Sequence, residues 1–346
     1  MAQDERGSTF SAKAPAKVLL TGEHAVVYGS PAIALAVNRF ATTTVRSHNE
    51  HGFCFTLKDL KSSVRFTLST LCRVRDRLLS AYRQFIEGKR SIREVLVAPG
   101  ELFQFTLATV LDICKVELEE GLDIHLHSSI PIGCGMGSSA ATVVSLVRAL
   151  LHHFHIEKGL DWIERLIFDV ERLQHGTPSG VDSFISLHGG CAVFQQKNPP
   201  RSLEMPQEPL WIVNTGTPDS STGEAVSLVS KQWKNSSVWH DFEDVARRVE
   251  RALTSKNIPE LSLALSLNQR LLEKIGVVPE RVRAFVREIE KRGGTAKISG
   301  AGAVRGQTAG ILLVLSKEPI EDLCQQYGYE RFCIKGERAG ASISAL

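Results

Sequence analysis

The chain has 346 residues, 43% hydrophobic and 23% charged, which suits two domains of ordinary size or one large globular one. A formal charge of +3 argues against nucleic acid or an anionic membrane as partner, and no run approaches the roughly 20 apolar residues of a membrane span. Residues 1–12 carry no apolar run, so no secretory signal is expected. Cys54, Cys72, Cys114, Cys134, Cys191, Cys324 and Cys333 are scattered and never spaced C-x-x-C; they read as reduced thiols of a cytoplasmic protein.

In chain order, residues 10–20, 32–46 and 52–57 read as strands. Residues 59–90 have a helical period and many basic residues, best explained as a solvated helix face. A helix is expected over 100–119, an alternating strand over 122–127, and an apolar helix after residue 139. Residues 161–175 form an amphipathic helix with Ile163, Leu166, Ile167, Val170 and Leu173 on one side, ended by Gly176, Pro178 and Gly180. Prolines at 199, 200, 206 and 209 suggest a linker or long surface loop over 197–208. Beyond it come helices near 241–255, 258–275 and 279–292, strand 295–299, a glycine loop, strand 310–316, helix 318–327 and strand 330–335. Mixed strands with helices on one side make this half α+β. The expected division is an N-terminal domain over 1–205 and a C-terminal domain over 206–346.

Four segments hold residues that a structural role alone explains poorly. Pro131, Ile132, Gly133, Cys134, Gly135, Met136, Gly137, Ser138, Ser139 and Ala140 form a glycine-rich loop running into a helix. The missing Cβ atoms let backbone N–H groups turn around an anion, and a helix start adds unpaired donors, with Ser138 and Ser139 expected at the N-cap. No lysine follows the last glycine, so this is not a Walker A loop; a glycine turn before a buried helix is the plainer reading. Lys17 precedes an apolar run, and Glu23 and His24 follow the turn at Gly22. Glu171 and Asp182 flank a sharp Gly-Thr-Pro-Ser-Gly turn; they suit either a metal and a base, or a solvated helix acid and an N-cap. The fourth segment, 297–310, is a second glycine loop or a hairpin turn.

Taken together, these segments resemble the GHMP kinases, named for galactose, homoserine, mevalonate and phosphomevalonate. Residues 131–141 are similar to the ATP loop of the whole superfamily. Residues 14–29 (Ala-Pro-Ala-Lys-Val-Leu-Leu-Thr-Gly-Glu-His-Ala-Val-Val-Tyr-Gly) and 171–182 (Glu-Arg-Leu-Gln-His-Gly-Thr-Pro-Ser-Gly-Val-Asp) resemble its mevalonate-phosphorylating branch. Asn268, Gln269, Leu271, Leu272, Gly276 and Val277 resemble a helix of the C-terminal half.

The resemblance implies a two-domain α+β fold with the site in the interdomain cleft, and an enzyme using ATP and Mg²⁺ to phosphorylate mevalonate. It implies Ser139 and Glu171 as Mg²⁺ ligands, Asp182 as acceptor of the hydroxyl proton, and Lys17 between that hydroxyl and the phosphates. Glu23, His24 and a hydroxyl from Thr222 or Ser221 would line the substrate end. A homodimer is expected. A sister kinase for phosphomevalonate, homoserine or a sugar is the rival reading, and a catalytically silent relative a weaker one. The chain departs from the pattern at Ala16, usually glycine, and at Gly300–Gly306, where Val304 is poorly suited to positive φ. Arg305 there faces either a phosphate or solvent.

Overall fold

The structure, a computed structural model, describes residues 10–98, 100–176, 178–196 and 198–346. The strands are β1 (Phe10–Thr21), β2 (Ala32–His48), β3 (Phe53–Leu57), β4 (Ser62–Phe66), β5 (Gly121–Ser128), β6 (Cys191–Gln195), β7 (Asn198–Leu203), β8 (Leu210–Asn214), β9 (Thr295–Ser299), β10 (Ile311–Leu315), β11 (Glu330–Ile334) and β12 (Ser342–Ala345). The helices are α1 (Leu68–Ile86), α2 (Glu101–Ile113), α3 (Ser138–His153), α4 (Leu160–His175), α5 (Val181–His188), α6 (Thr222–Trp233), α7 (Val238–Thr254), α8 (Ile258–Lys274), α9 (Glu280–Lys291) and α10 (Glu321–Tyr327). None of the described helices is long and apolar enough to cross a membrane.

Two sheets organise these elements. The larger runs β12-β1-β2-β5-β3-β4, with β6 and β7 continuing from β2; the smaller runs β11-β8-β10-β9. β5 pairs parallel with β3 and antiparallel with β2. The last strand, β12, returns to the first sheet and pairs with β1.

β1 is buried along most of its length because helices lie against it: α3 and α5 pack on it, and α7 and α8 reach it from the second half. α3 is apolar nearly all round, as a central helix must be. Its buried polar bond to the sheet, Thr43 with Ser145 at 2.7 Å, is satisfied, and a second, exposed one joins Ser47 to His153 at the far end of the helix. The small residues Ala32, Ala34 and Ala36 let α5 seat Val181 and Ile185 close to β2.

Four expectations from the sequence are corrected here. The helical stretch 59–90 opens with strand β4, paired to β3, and only then becomes α1, capped by Thr67 accepting from Thr70 N–H. Only Phe66 of β4 is buried, stacked on Phe53 and Phe55, so an exposed edge strand carries the polar composition of a helix surface. The helix expected over 100–119 stops at Ile113, where Lys115 turns the chain at φ 52°. In place of a linker, residues 198–203 form β7, an exposed strand on β6 whose two prolines sit where an edge tolerates them; Lys197 lies outside the described residues. The N-cap of α3 is Gly137 at φ 70°, not a serine: Ser138 and Ser139 are the first two helical residues.

Candidate active site

The first glycine loop brings the candidate residues together. Gly133, Gly135 and Gly137 all have positive φ, a conformation that favours glycine. The loop is held from below, where Lys17 N–H on β1 donates to Met136 C=O at 3.0 Å. Because Gly137 is the cap and carries no side chain, helix geometry leaves the first N–H groups of α3 without an intrahelical acceptor. Such a helix start is suited to receive an anion on its backbone.

Lys17 and Asp182 meet beside Gly137. Lys17 Nζ lies 2.8 Å from Asp182 Oδ1; the lysine is 4% exposed and the aspartate 38%. A Cβ on Gly137 would come within 3.5 Å of Asp182 Oδ2 and 3.6 Å of Lys17 Cε, so glycine leaves this approach open. Asp182 is not an N-cap: Gly180, at φ 77°, caps α5, and Asp182 sits in the first turn, where a carboxylate suits the helix dipole. Thr177, in the turn before it, lies outside the described residues.

Glu171, near the end of α4, is no solvated acid. It is 3% exposed, and its Oε2 has no hydrogen-bond partner. Burial, then the charge of Asp182, pushes its carboxyl up to about 7, against a bond from Ser183 and the charge of Lys17. An orphaned buried carboxylate oxygen is costly and suits a hard divalent cation, which takes oxygen ligands and tolerates few protein ones. Ser139 Oγ instead donates to Gln174 Oε1 on α4, one turn from Glu171. The unpartnered Glu171 Oε2, with the Asp182 carboxylate whose charge it feels, therefore suits such an ion, whereas Ser139 could join only by leaving Gln174.

The rest of the first motif is structural. Gly22 has φ 94°, and a Cβ there would strike the backbone of Pro31 and Ala32. Tyr28 stacks on Trp239 with centroids 4.0 Å apart, and Ser30 Oγ donates to Trp239 C=O, docking the motif on α7. Glu23 is buried, its carboxylate held by Lys297 and, at 3.2 Å, by Asn268 Nδ2. His24, at φ 60°, donates from Nε2 to Ala301 C=O at 2.9 Å, and burial lowers its pKa.

The two glycine loops abut. Ile311 N–H donates to Cys134 C=O at 3.2 Å, and Cβ atoms on Gly135 or Gly310 would meet the backbone of Ser299 or Cys134. Between the loops opens a cavity of about 450 Å³, whose lining includes Gly133, Gly135, Gly300, Ala301, Thr222 and Arg305. The second loop takes its positive φ at Gly300, Gly302, Gly306 and Gly310; Val304 is spared, and its N–H donates to Ser220 Oγ at 3.0 Å. Ser221 caps α6 in a capping box with Glu224, leaving Thr222 the first helical residue.

Arg305 takes neither expected role outright. It pairs with Glu224 at 3.3 Å and donates to Asp219 C=O at 2.9 Å, while Arg93 reaches the same Glu224 at 3.2 Å from across the cavity. The group is exposed and screened, so Arg305→Ala is expected to change nucleotide affinity by less than about twofold and barely move the melting temperature. A loss of about tenfold or more, read by calorimetric titration, would put the guanidinium on a phosphate.

A glycine loop opening a helix beside a buried lysine and its half-exposed carboxylate partner, between two sheets, is the arrangement expected of a small-molecule kinase of the GHMP class. Residues 104–190 match the GHMP kinases N-terminal domain. The chain is 31% identical over 302 residues to a mevalonate kinase of Thermococcus sibiricus, covering 84% of this chain and 86% of that one. It is 29% identical over 299 residues to that of Archaeoglobus fulgidus, covering 84% and 88%. The crystal structure of the Methanococcus jannaschii mevalonate kinase superimposes with a TM-score of 0.80 at 24% identity, over 96% of this chain and 99% of that one. The chain belongs to the mevalonate kinase family of GHMP kinases.

Proposed function

We propose that this protein transfers the γ-phosphoryl group of ATP to the primary C5 hydroxyl of mevalonate, giving 5-phosphomevalonate and ADP for isoprenoid precursor synthesis. The observation that carries the reading is the Lys17–Asp182 pair beside Gly137, at the mouth of the anion-binding loop. The glycine loop and the start of α3 cradle the phosphates through backbone N–H groups. Asp182 accepts the hydroxyl proton as the new P–O bond forms and the bond to the ADP oxygen breaks. An ordinary aspartate is a weak base for an alcohol, so its contribution is orientation and late proton acceptance. Lys17, nearly desolvated, offsets charge on the transferred group where water does so poorly. Mg²⁺, held by Glu171, Asp182 and Ser139, would supply charge neutralisation at the phosphate oxygens.

Thr222, in the cavity lining, is assigned to the acceptor side in this reading, and His24, buried and bonded to Ala301 of that lining, borders it. Glu23 supports that side from behind, because its carboxylate is engaged. A homodimer in the cytoplasm completes the proposal.

The test is ADP release across mevalonate, phosphomevalonate, homoserine and galactose. Mevalonate is expected to give the highest kcat/KM. A higher value for any other acceptor would refute the substrate assignment while leaving the phosphotransferase chemistry standing.

A further inference from the structure

A lysine at the centre of β9 is among the largest fully buried side chains of the molecule. Lys297 sits between Ala296 and Ile298, with 0% of its side chain exposed, and burial pushes its amine pKa down. A desolvated ammonium in a strand has to be paired to persist. Its partner is Glu23, equally buried, in the turn after β1. The pair joins the two sheets: β1 belongs to the larger, and β9 is the edge of the smaller.

The same face of β9 does more than neutralise Glu23. Lys297 Nζ also donates to Leu19 C=O at 3.2 Å, and Leu19 N–H donates to Ser299 Oγ at 2.8 Å. Residues 297 and 299, two apart on one face, thus hold both polar groups of a single residue of β1. Leu19 lies where β1 slips register against β2, between Leu19 and Thr21, so the ladder leaves slack there. Lys17 is two residues back along the same strand. On the other side of Glu23, Thr21 Oγ1 donates to Asn268 Oδ1 at 2.6 Å, and Asn268 Nδ2 donates to Glu23. Each carboxylate oxygen of Glu23 thus already accepts a hydrogen bond from a protein group. His24 follows at positive φ, bonded to Ala301 in the second glycine loop.

We infer that Lys297 is a positioning residue: with Ser299, it fixes Glu23 and Leu19 so that Lys17, His24 and the loop at 300–302 face the cleft in one geometry. It touches no reacting atom in this arrangement and acts through the β1 strand and its turn. The inference rests on the phosphotransferase reading for its kinetic arm only.

Removing Lys297 alone would strand a buried carboxylate and confound stability with position. The informative protein is the charge-free double variant Glu23→Gln/Lys297→Met, since replacing a buried ion pair by groups of similar volume is often neutral or stabilising. It is expected to melt at or above the wild-type temperature, with kcat lower by about tenfold or more, the scale of a small misplacement of reacting groups. In the nucleotide-free protein, amide exchange should speed up at Leu19, Val26 and Ala303, each hydrogen-bonded in the native form, and stay unchanged in α3. Unchanged kcat with unchanged exchange, whatever the melting temperature, would leave the pair without a positioning role and overturn the inference. If the double variant does not fold, Ser299→Ala removes only the hold on Leu19 N–H; it should slow kcat by about threefold or more, and an unchanged kcat would equally overturn it. A wild type that releases no ADP with mevalonate refutes the proposed reaction, and the exchange pattern then still decides the role of Lys297.

Discussion

Asp182→Asn is expected to leave a folded protein whose kcat is lower by about 10²–10⁴-fold, with KM for mevalonate changed much less. Asparagine keeps the shape and can still accept a hydrogen bond from Lys17, 2.8 Å away in the native pair. What it cannot do is take the hydroxyl proton. Loss confined to kcat marks an interaction that belongs to the transition state. The competing role is structural. Asp182 lies in the first turn of α5, where asparagine forfeits only a favourable dipole interaction. The residue is 38% exposed but Lys17 only 4%, so the variant leaves a nearly buried ammonium with a neutral partner and some loss in melting temperature is expected whichever role is correct, whereas a large loss of kcat is expected only of the base. Kinetics measured on a preparation that melting shows to be folded therefore separate the roles. A folded variant with near-normal kcat would remove Asp182 from the chemistry.

The sequence was most legible where a single constraint fixes the residue. Alternation in 122–127 and the amphipathic stripe of 161–175 correspond to β5 and α4 within a residue or two at each end. The glycines of the first loop all take the positive φ that their spacing suggested. Legibility failed where two environments share one composition. The strand over 295–299 is expected from the sequence, but nothing in its alternation tells which face is covered: Thr295, Lys297 and Ser299 are buried against β1, α8 and the Glu23 turn. Only the three-dimensional pairing of residues 23 and 297, which are 274 positions apart, reveals why a lysine belongs there. Exposed edge strands failed for the mirror-image reason: β4 and β7 bury so little that their sequences carry hardly any apolar signal. α6 went unmarked although its capping box, Ser221 with Glu224, is readable in the sequence as S-x-x-E. At Ser138 and Ser139 a good capping residue type was outcompeted by Gly137, because the loop needs a positive φ one position earlier.

Glu171→Gln should change two measurements at once, and both follow from a carboxyl pushed up to about 7 by burial and by Asp182. The unfolded chain releases this proton near the ordinary value of 4.5, the native chain near 7. Between those values the native state binds more protons than the unfolded state, so stability falls as pH rises through the window. The contribution, present below pH 4.5, is lost by the time pH passes 7, and amounts to at most about 3 kcal/mol. Glutamine stays neutral throughout and fills the same space. The metal-free variant should therefore show a flatter melting profile between pH 5 and 7.5, as read by calorimetry, and be the more stable protein at the upper end. Function should move the other way. A divalent cation binds the ionised carboxylate, so in the native enzyme the Mg²⁺ requirement should ease as pH rises towards 7 and then level off. In Glu171→Gln the Mg²⁺ concentration for half-maximal activity should rise by about tenfold or more, and its dependence on pH over this range should largely disappear. The two effects have one cause: the unpartnered Oε2 that costs stability in the empty protein is the atom that the cation rewards. A variant stabilised at pH 7.5 with an unchanged Mg²⁺ titration would leave Glu171 a buried acid with no part in metal binding.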